Sequence, residues 1–130
     1  DRLFLDANVL FSAAYREGSG LGRLWELDEA ELMTSGYAAE EARRNLTEQA
    51  QHRRLSTLLR SVEVIAEADP RSIAGDDRLS EKDRPILRAA VAARATHLLT
   101  GDLTHFGRFF DHKVQGLLVM PPGAYLRSRT

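Results

Sequence analysis

The sequence predicts an α/β fold in which a mostly parallel sheet is covered by helices on both faces. Short apolar runs alternate with amphipathic helical stretches along the chain, which is the pattern of successive β-α-β units. No internal repeat, low-complexity tract or linker interrupts this alternation. The 130 residues are enough for one domain with its own core, so we expect residues 1–130 to form a single domain.

The predicted elements follow one another in a regular order. Strands are expected at Arg2 to Leu5, Leu32 to Thr34, Val62 to Ile65, His97 to Thr100 and Leu117 to Val119. Helices are expected from the first strand to about Tyr15, over Leu21 to Leu27, from Gly36 to Ala50, over Arg53 to Arg60, and up to about Arg94. Ser35 is placed to cap the helix that follows it. A polar, turn-rich stretch from Asp69 to Arg78 precedes the last long helix.

Composition narrows the classes of function. A net charge of −1 predicts no global attraction to nucleic acid or membranes, which counts against a protein that coats nucleic acid but not against a nucleic-acid enzyme. The absence of cysteine excludes disulfides, thiolate zinc sites and thiol catalysis. No apolar run reaches the length of a membrane span and no signal-peptide pattern opens the chain, so we expect a cytoplasmic protein with no membrane partner.

Two acidic residues follow predicted strands directly. Asp6 comes after the first apolar run, and Asp102 follows a strand through a glycine that permits a sharp turn. In open parallel sheets, functional groups gather at the carboxyl ends of the strands, so both carboxylates are expected at the same edge. Each acid taken alone is explained equally well as a turn residue or a helix cap.

Glu41 lies beside the apolar face of its predicted helix. On a helical wheel Glu41 and Asn45 stand on the border of that face, whereas Glu40 points to solvent. The apolar face itself consists of Ala38, Ala42 and Leu46. Glu41 is therefore positioned to lean over an edge of the core, although an ion pair with Arg43 or Arg44 would explain it as well.

Asp83 is the remaining candidate acid. Either Ser80 caps the next helix and forms a capping-box-like pair with Asp83, or Asp83 is itself the cap with Pro85 in the first turn. In both cases Asp83 stands at a helix N-terminus and extends the apolar face that begins at Ile86 and Leu87. Capping alone would account for it as well as a ligand role would.

The four acids Asp6, Glu41, Asp83 and Asp102 share one predicted location. Clustered carboxylates repel one another unless a cation holds them together. Oxygen ligands without cysteine or a convincing pair of histidines suit Mg²⁺ or Mn²⁺ better than zinc, and such ions are common in phosphate-ester chemistry.

These residues resemble, in order, the motifs of the PIN domain family. The stretch from Leu5 to Leu10 is similar to the opening motif, and Ser35 with Glu41 six residues later is similar to the second. Lys82 to Leu87 and Leu99 to Asp102 resemble the third and fourth motifs. The resemblance implies a Rossmann-like α/β/α sandwich and a Mg²⁺- or Mn²⁺-dependent endoribonuclease with one or two metal ions.

The resemblance also implies roles for individual residues. Asp6, Glu41, Asp83 and Asp102 would be the catalytic, metal-binding acids, supported through hydrogen bonds by Asn8 and Thr100. Ala7 departs from the threonine that is commoner in the family, so a hydroxyl contact there is absent. Lys82, Arg43 and Arg84 are candidates for RNA contacts, with surface solubility as the simpler explanation for each. A loop or capping role is favoured over a substrate contact for His105, and core packing is favoured over base stacking for Phe106, Phe109 and Phe110.

With the continuation from Gly101-Asp102 to His105-Phe106, the motifs resemble those of VapC-like toxins of bacterial toxin–antitoxin pairs. That likeness implies an RNA substrate, a cognate antitoxin protein and a homodimer. The sequence argues against three alternatives. A PIN-like fold can serve as a non-catalytic protein-interaction module, but the four intact acids count against that role. A receiver-like phospho-acceptor domain would need a second acid after the first strand and a lysine after a late strand, and Lys113 lacks that setting. A phosphatase of the haloacid dehalogenase type would need an aspartate where Asn8 stands.

Overall fold

The computed structural model describes residues 1–65, 83–110, 113–114 and 116–129. Within these ranges the strands are β1 (Arg2–Leu5), β2 (Glu31–Ser35), β3 (Glu63–Ile65), β4 (His97–Leu99), β5 (Lys113–Val114) and β6 (Leu117–Met120). The α-helices are α1 (Ala7–Tyr15), α2 (Gly36–Asn45), α3 (Gln49–Leu59), α4 (Arg84–Ala92), α5 (Leu103–Phe106) and α6 (Pro122–Arg127). None of the described helices is long and apolar enough to cross a membrane.

The strands form one six-stranded sheet in the order β3-β2-β1-β4-β6-β5. Every pair is parallel except β5 with β6, which is antiparallel at the edge. β1 lies near the centre, pairing with β2 on one side and with β4 on the other. The predicted α/β class with a central, mostly parallel sheet is confirmed.

Alternate residues of β1 enter two separate cores. Phe4 packs in a cluster with residues of α4 such as Ile86 and Leu87. Leu3 and Leu5 pack in a second cluster with apolar residues of α1 and α3. Because successive side chains of a strand point to opposite faces, the sheet is covered on both sides, as the sequence predicts.

The predicted helix from Gly36 to Ala50 ends earlier than expected, so the prediction of its C-terminal end was wrong. α2 stops at Asn45, and a new helix begins at Gln49 with Glu48 as its N-cap. The buried side chain of Gln51 stabilises the break, because its Oε1 accepts hydrogen bonds from the backbone N–H groups of Thr47 and Glu48. Its Nε2 donates to the carbonyl of Tyr15 at the end of α1.

Several other boundaries differ by small amounts. The segment expected to be helical at Leu21 to Leu27 is a 3₁₀ helix over Gly20–Glu26. The short β5, α5 and α6 were not predicted. The turn-rich stretch from Asp69 to Arg78, and Ser80, lie outside the described residues.

Candidate active site

The carboxyl ends of β1 and β4 stand side by side. Leu5 is paired with Leu99 in the parallel register, and the backbone N–H of Asp6 donates to the carbonyl of Leu99 at 3.1 Å. The next residues along the two strands, Asp6 and Thr100, therefore meet at the same edge of the sheet. α1 begins directly after Asp6.

Asp6 is almost completely buried, with 5% of its surface exposed. Its Oδ1 accepts a 2.7 Å hydrogen bond from the backbone N–H of Ala7, which places Asp6 as the N-cap of α1. Its Oδ2 accepts hydrogen bonds from Thr100 Oγ1 at 2.8 Å and from Asn8 Nδ2 at 3.2 Å. The capping role and the site role thus coexist, since each carboxylate oxygen has two lone pairs.

Burial raises the pKa of Asp6 from 3.8 to about 6. The hydrogen bonds from Thr100 and Ala7 oppose this rise, whereas the charges of Glu41 and Asp83 add to it. Both neighbouring acids are therefore close enough for their charges to act on Asp6.

Asn8 and Thr100 form a bridge across the strand ends. Asn8 Nδ2 donates to Thr100 Oγ1 at 3.1 Å as well as to Asp6, and Asn8 Oδ1 accepts from the backbone N–H of Gly101 at 2.8 Å. Thr100 Oγ1 also accepts from the backbone N–H of Asp102 at 3.1 Å. These two residues tie the backbone that carries Asp102 to the carboxylate of Asp6.

Glu41 reaches the same edge from α2. Ser35 begins this helix, because its side chain accepts a hydrogen bond from the backbone N–H of Ala38, as predicted. Glu41 is partly buried, whereas Glu40 is exposed and pairs with Arg43 at 3.0 Å. The helical wheel thus separated the two glutamates correctly, and the exposed member of the pair is the one that binds Arg43.

Asp83 is the residue before α4 and is 7% exposed. Its side chain makes no capping hydrogen bond to the helix. The side-chain cap that the sequence offered as one alternative is therefore absent, although Asp83 does occupy the N-cap position, with Pro85 in the first turn. The other alternative, a pair with Ser80, lies partly outside the described residues. Its Oδ2 lies 3.1 Å from Nδ1 of His105.

Asp102 caps α5. Its Oδ1 accepts a 3.0 Å hydrogen bond from the backbone N–H of His105, and its Oδ2 lies 2.7 Å from Nδ1 of the same histidine. His105 thus stands between Asp102 and Asp83, whereas the sequence favoured a loop or capping role for it over a place in the site. The available signal was its spacing, since a residue three positions after a cap lies on the first helical turn, close to the cap.

The side chains surround one open cleft of about 370 Å³. It is lined by Asp6, Ala7, Asn8, Phe11, Glu41, Asn45, Asp83, Asp102 and His105. The four acids expected from the sequence are brought together here, and no lysine or arginine is among the described residues of the lining. Within the described part of the chain, Asp83, Asp102 and His105 also offer ligand atoms that all lie within 4.8 Å of one another.

The sequence model of the PIN domain matches residues 2–104, which include all four acids and most of the sheet. The chain belongs to the PIN domain family. No curated protein sequence matches it at a significant level. Because the chain belongs to the PIN domain family, its fold is not that of a receiver domain. Lys113, the lysine considered for that alternative, lies in β5 at the far edge of the sheet.

Among solved structures, this PIN domain resembles a chain in the crystal structure of VapBC2 from Rickettsia felis bound to a DNA fragment from their promoter. The TM-score is 0.64 at 14% sequence identity, and the match covers 93% of this chain and 98% of the other. At this identity the likeness concerns the fold.

The residues predicted to contact RNA do not line the cleft where the structure describes them. Arg43 is exposed and bound to Glu40, and Arg84 is the first residue of α4; neither lines the cleft of the PIN domain. Lys82 lies outside the described residues. Instead, a shallow depression beside the cleft is lined by Tyr37, Glu41, Arg44 and Asn45.

The phenylalanines after Asp102 belong to the core, as predicted. Phe106 and Phe109 are buried at 0% and 2% exposure, and Phe110 packs against the same cluster. These rings anchor the segment that carries Asp102 and His105 against the sheet.

Proposed function

We propose that this PIN domain is a metal-dependent endoribonuclease that hydrolyses RNA phosphodiester bonds. The observation that carries the proposal is the convergence of Asp6, Glu41, Asp83 and Asp102 on one open cleft from four separate parts of the chain. A structural explanation must account for each acid separately, and Asp83 does not cap α4 with its side chain.

The donor set of the cleft fits a divalent cation. Carboxylate oxygens dominate it, which suits Mg²⁺ or Mn²⁺. Burial and two neighbouring acids raise the pKa of Asp6, and a bound cation would relieve that repulsion. Asp6, Glu41, Asp83 and Asp102 would hold one or two ions. When bound, such an ion lowers the pKa of a water molecule and neutralises charge on the scissile phosphate.

Two neighbouring side chains, Thr100 and Asn8, orient the acids of the cleft. Thr100 and Asn8 hold the Asp6 carboxylate in one orientation, and Thr100 fixes the backbone of Asp102. A catalytic group needs such restraint because small misplacements cost much of the rate. The absence of a hydroxyl at Ala7 does not break this network, because Asn8 and Thr100 supply its side-chain donors.

The depression beside the cleft offers a path for RNA. Arg44 is exposed and can neutralise a backbone phosphate, and Tyr37, which is partly buried, lines the same depression. Both lie on α2 with Glu41, so a strand bound there would run into the acidic cleft.

The biological setting of the proposal is a toxin–antitoxin pair. It is supported by the fold shared with a chain of the VapBC2 structure and by membership of the PIN family. This protein would then act in the cytoplasm as a VapC-like toxin, form a homodimer and be neutralised by a protein antitoxin. Finding a small DNA-binding protein encoded beside it, and purifying the two as a complex, tests this setting independently of catalysis.

The nuclease proposal is tested by incubating the protein with structured RNA and Mn²⁺ or Mg²⁺, with EDTA as the control. We expect internal cuts that leave a 5′-phosphate and a 3′-hydroxyl and that disappear with EDTA. Intact RNA with every divalent ion tried would contradict it and favour the non-catalytic interaction module instead.

A further inference from the structure

We propose that His105 is a nitrogen ligand of the divalent ion in this cleft and makes the site prefer Mn²⁺ to Mg²⁺. The inference deepens the proposed function and rests on it, because the ion is the one that the four acids would hold. It adds a histidine nitrogen to a group of metal ligands that the sequence predicted to consist of oxygen atoms alone.

The distances around His105 match those between neighbouring ligands of one ion. Adjacent ligands of an octahedral ion with bonds of about 2.1 Å are about 3 Å apart. Nδ1 of His105 lies 2.7 Å from Asp102 Oδ2 and 3.1 Å from Asp83 Oδ2. The ligand atoms of Asp83, Asp102 and His105 all lie within 4.8 Å of one another, so one ion could contact all three.

The local structure holds the imidazole in this position. Asp102 uses Oδ1 to cap α5 at the backbone of His105, which leaves Oδ2 directed at the ring. The next residue, Phe106, is completely buried and fixes the helix against the core. Asp83 is 7% exposed and its side chain is not used as a cap. The imidazole, although itself exposed, is thus held beside both carboxylates. On metal binding the ion would replace the hydrogen that Nδ1 shares with Asp102, and the ring would carry its hydrogen on Nε2.

A nitrogen ligand changes which ion the site favours. Mg²⁺ prefers oxygen ligands and retains its waters, whereas imidazole binds first-row transition ions well. A site of carboxylates alone would discriminate weakly between Mg²⁺ and Mn²⁺. With His105 as a ligand, the affinity for Mn²⁺ should exceed that for Mg²⁺, and the difference should depend on this one side chain.

The direct test is pulsed electron paramagnetic resonance on the full chain loaded with Mn²⁺. We expect a ¹⁴N coupling typical of a bound imidazole, and it should change to the ¹⁵N pattern when histidine is isotopically labelled. The coupling should be lost in His105→Gln and kept in His97→Gln, a control at the opposite end of β4. Because the labelled wild-type protein gives its own answer, the test does not depend on whether the variant folds.

Calorimetry with Mn²⁺ and Mg²⁺ completes the test. His105→Gln should lose about tenfold or more of its Mn²⁺ affinity while Mg²⁺ binding changes little. Mn²⁺ bound to the wild type without nitrogen coupling would overturn the role of His105 and leave the nuclease proposal standing if RNA is still cut. If neither Mn²⁺ nor Mg²⁺ binds at millimolar concentration, both the role of His105 and the nuclease proposal are overturned.

Discussion

The Thr100 hydroxyl donates a 2.8 Å hydrogen bond to Oδ2 of Asp6 and so joins the ends of two neighbouring parallel strands. The same hydroxyl accepts from Asn8 and from the backbone of Asp102. Thr100 is completely buried, so water cannot replace these contacts. One side chain therefore connects three of the residues on which the site depends.

Thr100→Val should destabilise the protein by about 2 kcal/mol, because it removes the hydroxyl and leaves buried groups without their partner. It should also raise the pKa of Asp6 further, since the Thr100 hydrogen bond lowers it. Urea unfolding measures the stability change. Thr57→Val is the matched control, since that exposed hydroxyl bonds only within α3; equal effects of the two substitutions would contradict the account.

The stability of the metal-free protein should depend on the ionisation of Asp6. Its pKa is about 6 in the folded chain and 3.8 ordinarily, so between these values the folded state keeps a proton that the unfolded state has lost. The contribution of Asp6 to stability should therefore fall as pH rises through this window, by roughly 3 kcal/mol at most.

Urea unfolding in EDTA between pH 4 and 7.5 tests this dependence on Asp6. Because other groups also titrate, the informative quantity is the difference between the wild type and Asp6→Asn. The stability of the wild type relative to the variant should decrease with pH and recover when Mn²⁺ is added. Parallel pH profiles for the two proteins would show that Asp6 is not the group responsible.

Glu41→Gln should reduce RNA cleavage at least about a hundredfold, whereas Glu40→Gln should leave it nearly unchanged. Glu41 lines the cleft and its charge acts on Asp6, while Glu40 is exposed and paired with Arg43. The two residues are adjacent in one helix and undergo the same substitution, so a difference in rate reports the location of the carboxylate and not the loss of a negative charge from the helix. The measurement is the single-turnover cleavage rate at saturating Mn²⁺; equal loss in both variants would argue against a site role for Glu41.

Arg44→Ala should weaken RNA binding more than Arg43→Ala does. Arg44 lines the depression beside the cleft, whereas Arg43 is bound to Glu40 and lies away from it. A single lost phosphate contact should also reduce the salt dependence of binding by about one counterion. Titration of labelled RNA at several salt concentrations, with metal omitted to prevent cleavage, provides the comparison.

The strands and the location of the acids could be predicted because they depend on local pattern. β1 and β4 end in the apolar residues Leu3 to Leu5 and Leu98 to Leu99, which are followed by Asp6 and by Thr100-Gly101-Asp102. Parallel strands bring such ends to one edge. Glu41 could be placed by helical periodicity alone. The break after Asn45 could not, since it depends on Gln51 reaching back to the backbone of Thr47 and across to Tyr15.

His105 was harder to recognise for a different reason. Its spacing from Asp102 was visible, but its approach to Asp83 depends on how α4 and α5 are packed on the sheet. The candidate RNA contacts depend on helix orientation in the same way. Arg43 and Arg84 are near the acids in sequence, yet helix orientation decides that Tyr37 and Arg44 lie beside the cleft.

The most direct measurement is the single-turnover rate of RNA cleavage by wild type and Asp6→Asn at saturating Mn²⁺. The substitution keeps the size of the side chain and removes one charge from the centre of the cleft. The account predicts metal-dependent cleavage by the wild type and a loss of at least about a thousandfold in the variant, with the fold intact by circular dichroism. Cleavage that survives Asp6→Asn unchanged would place the active site elsewhere and contradict the central claim.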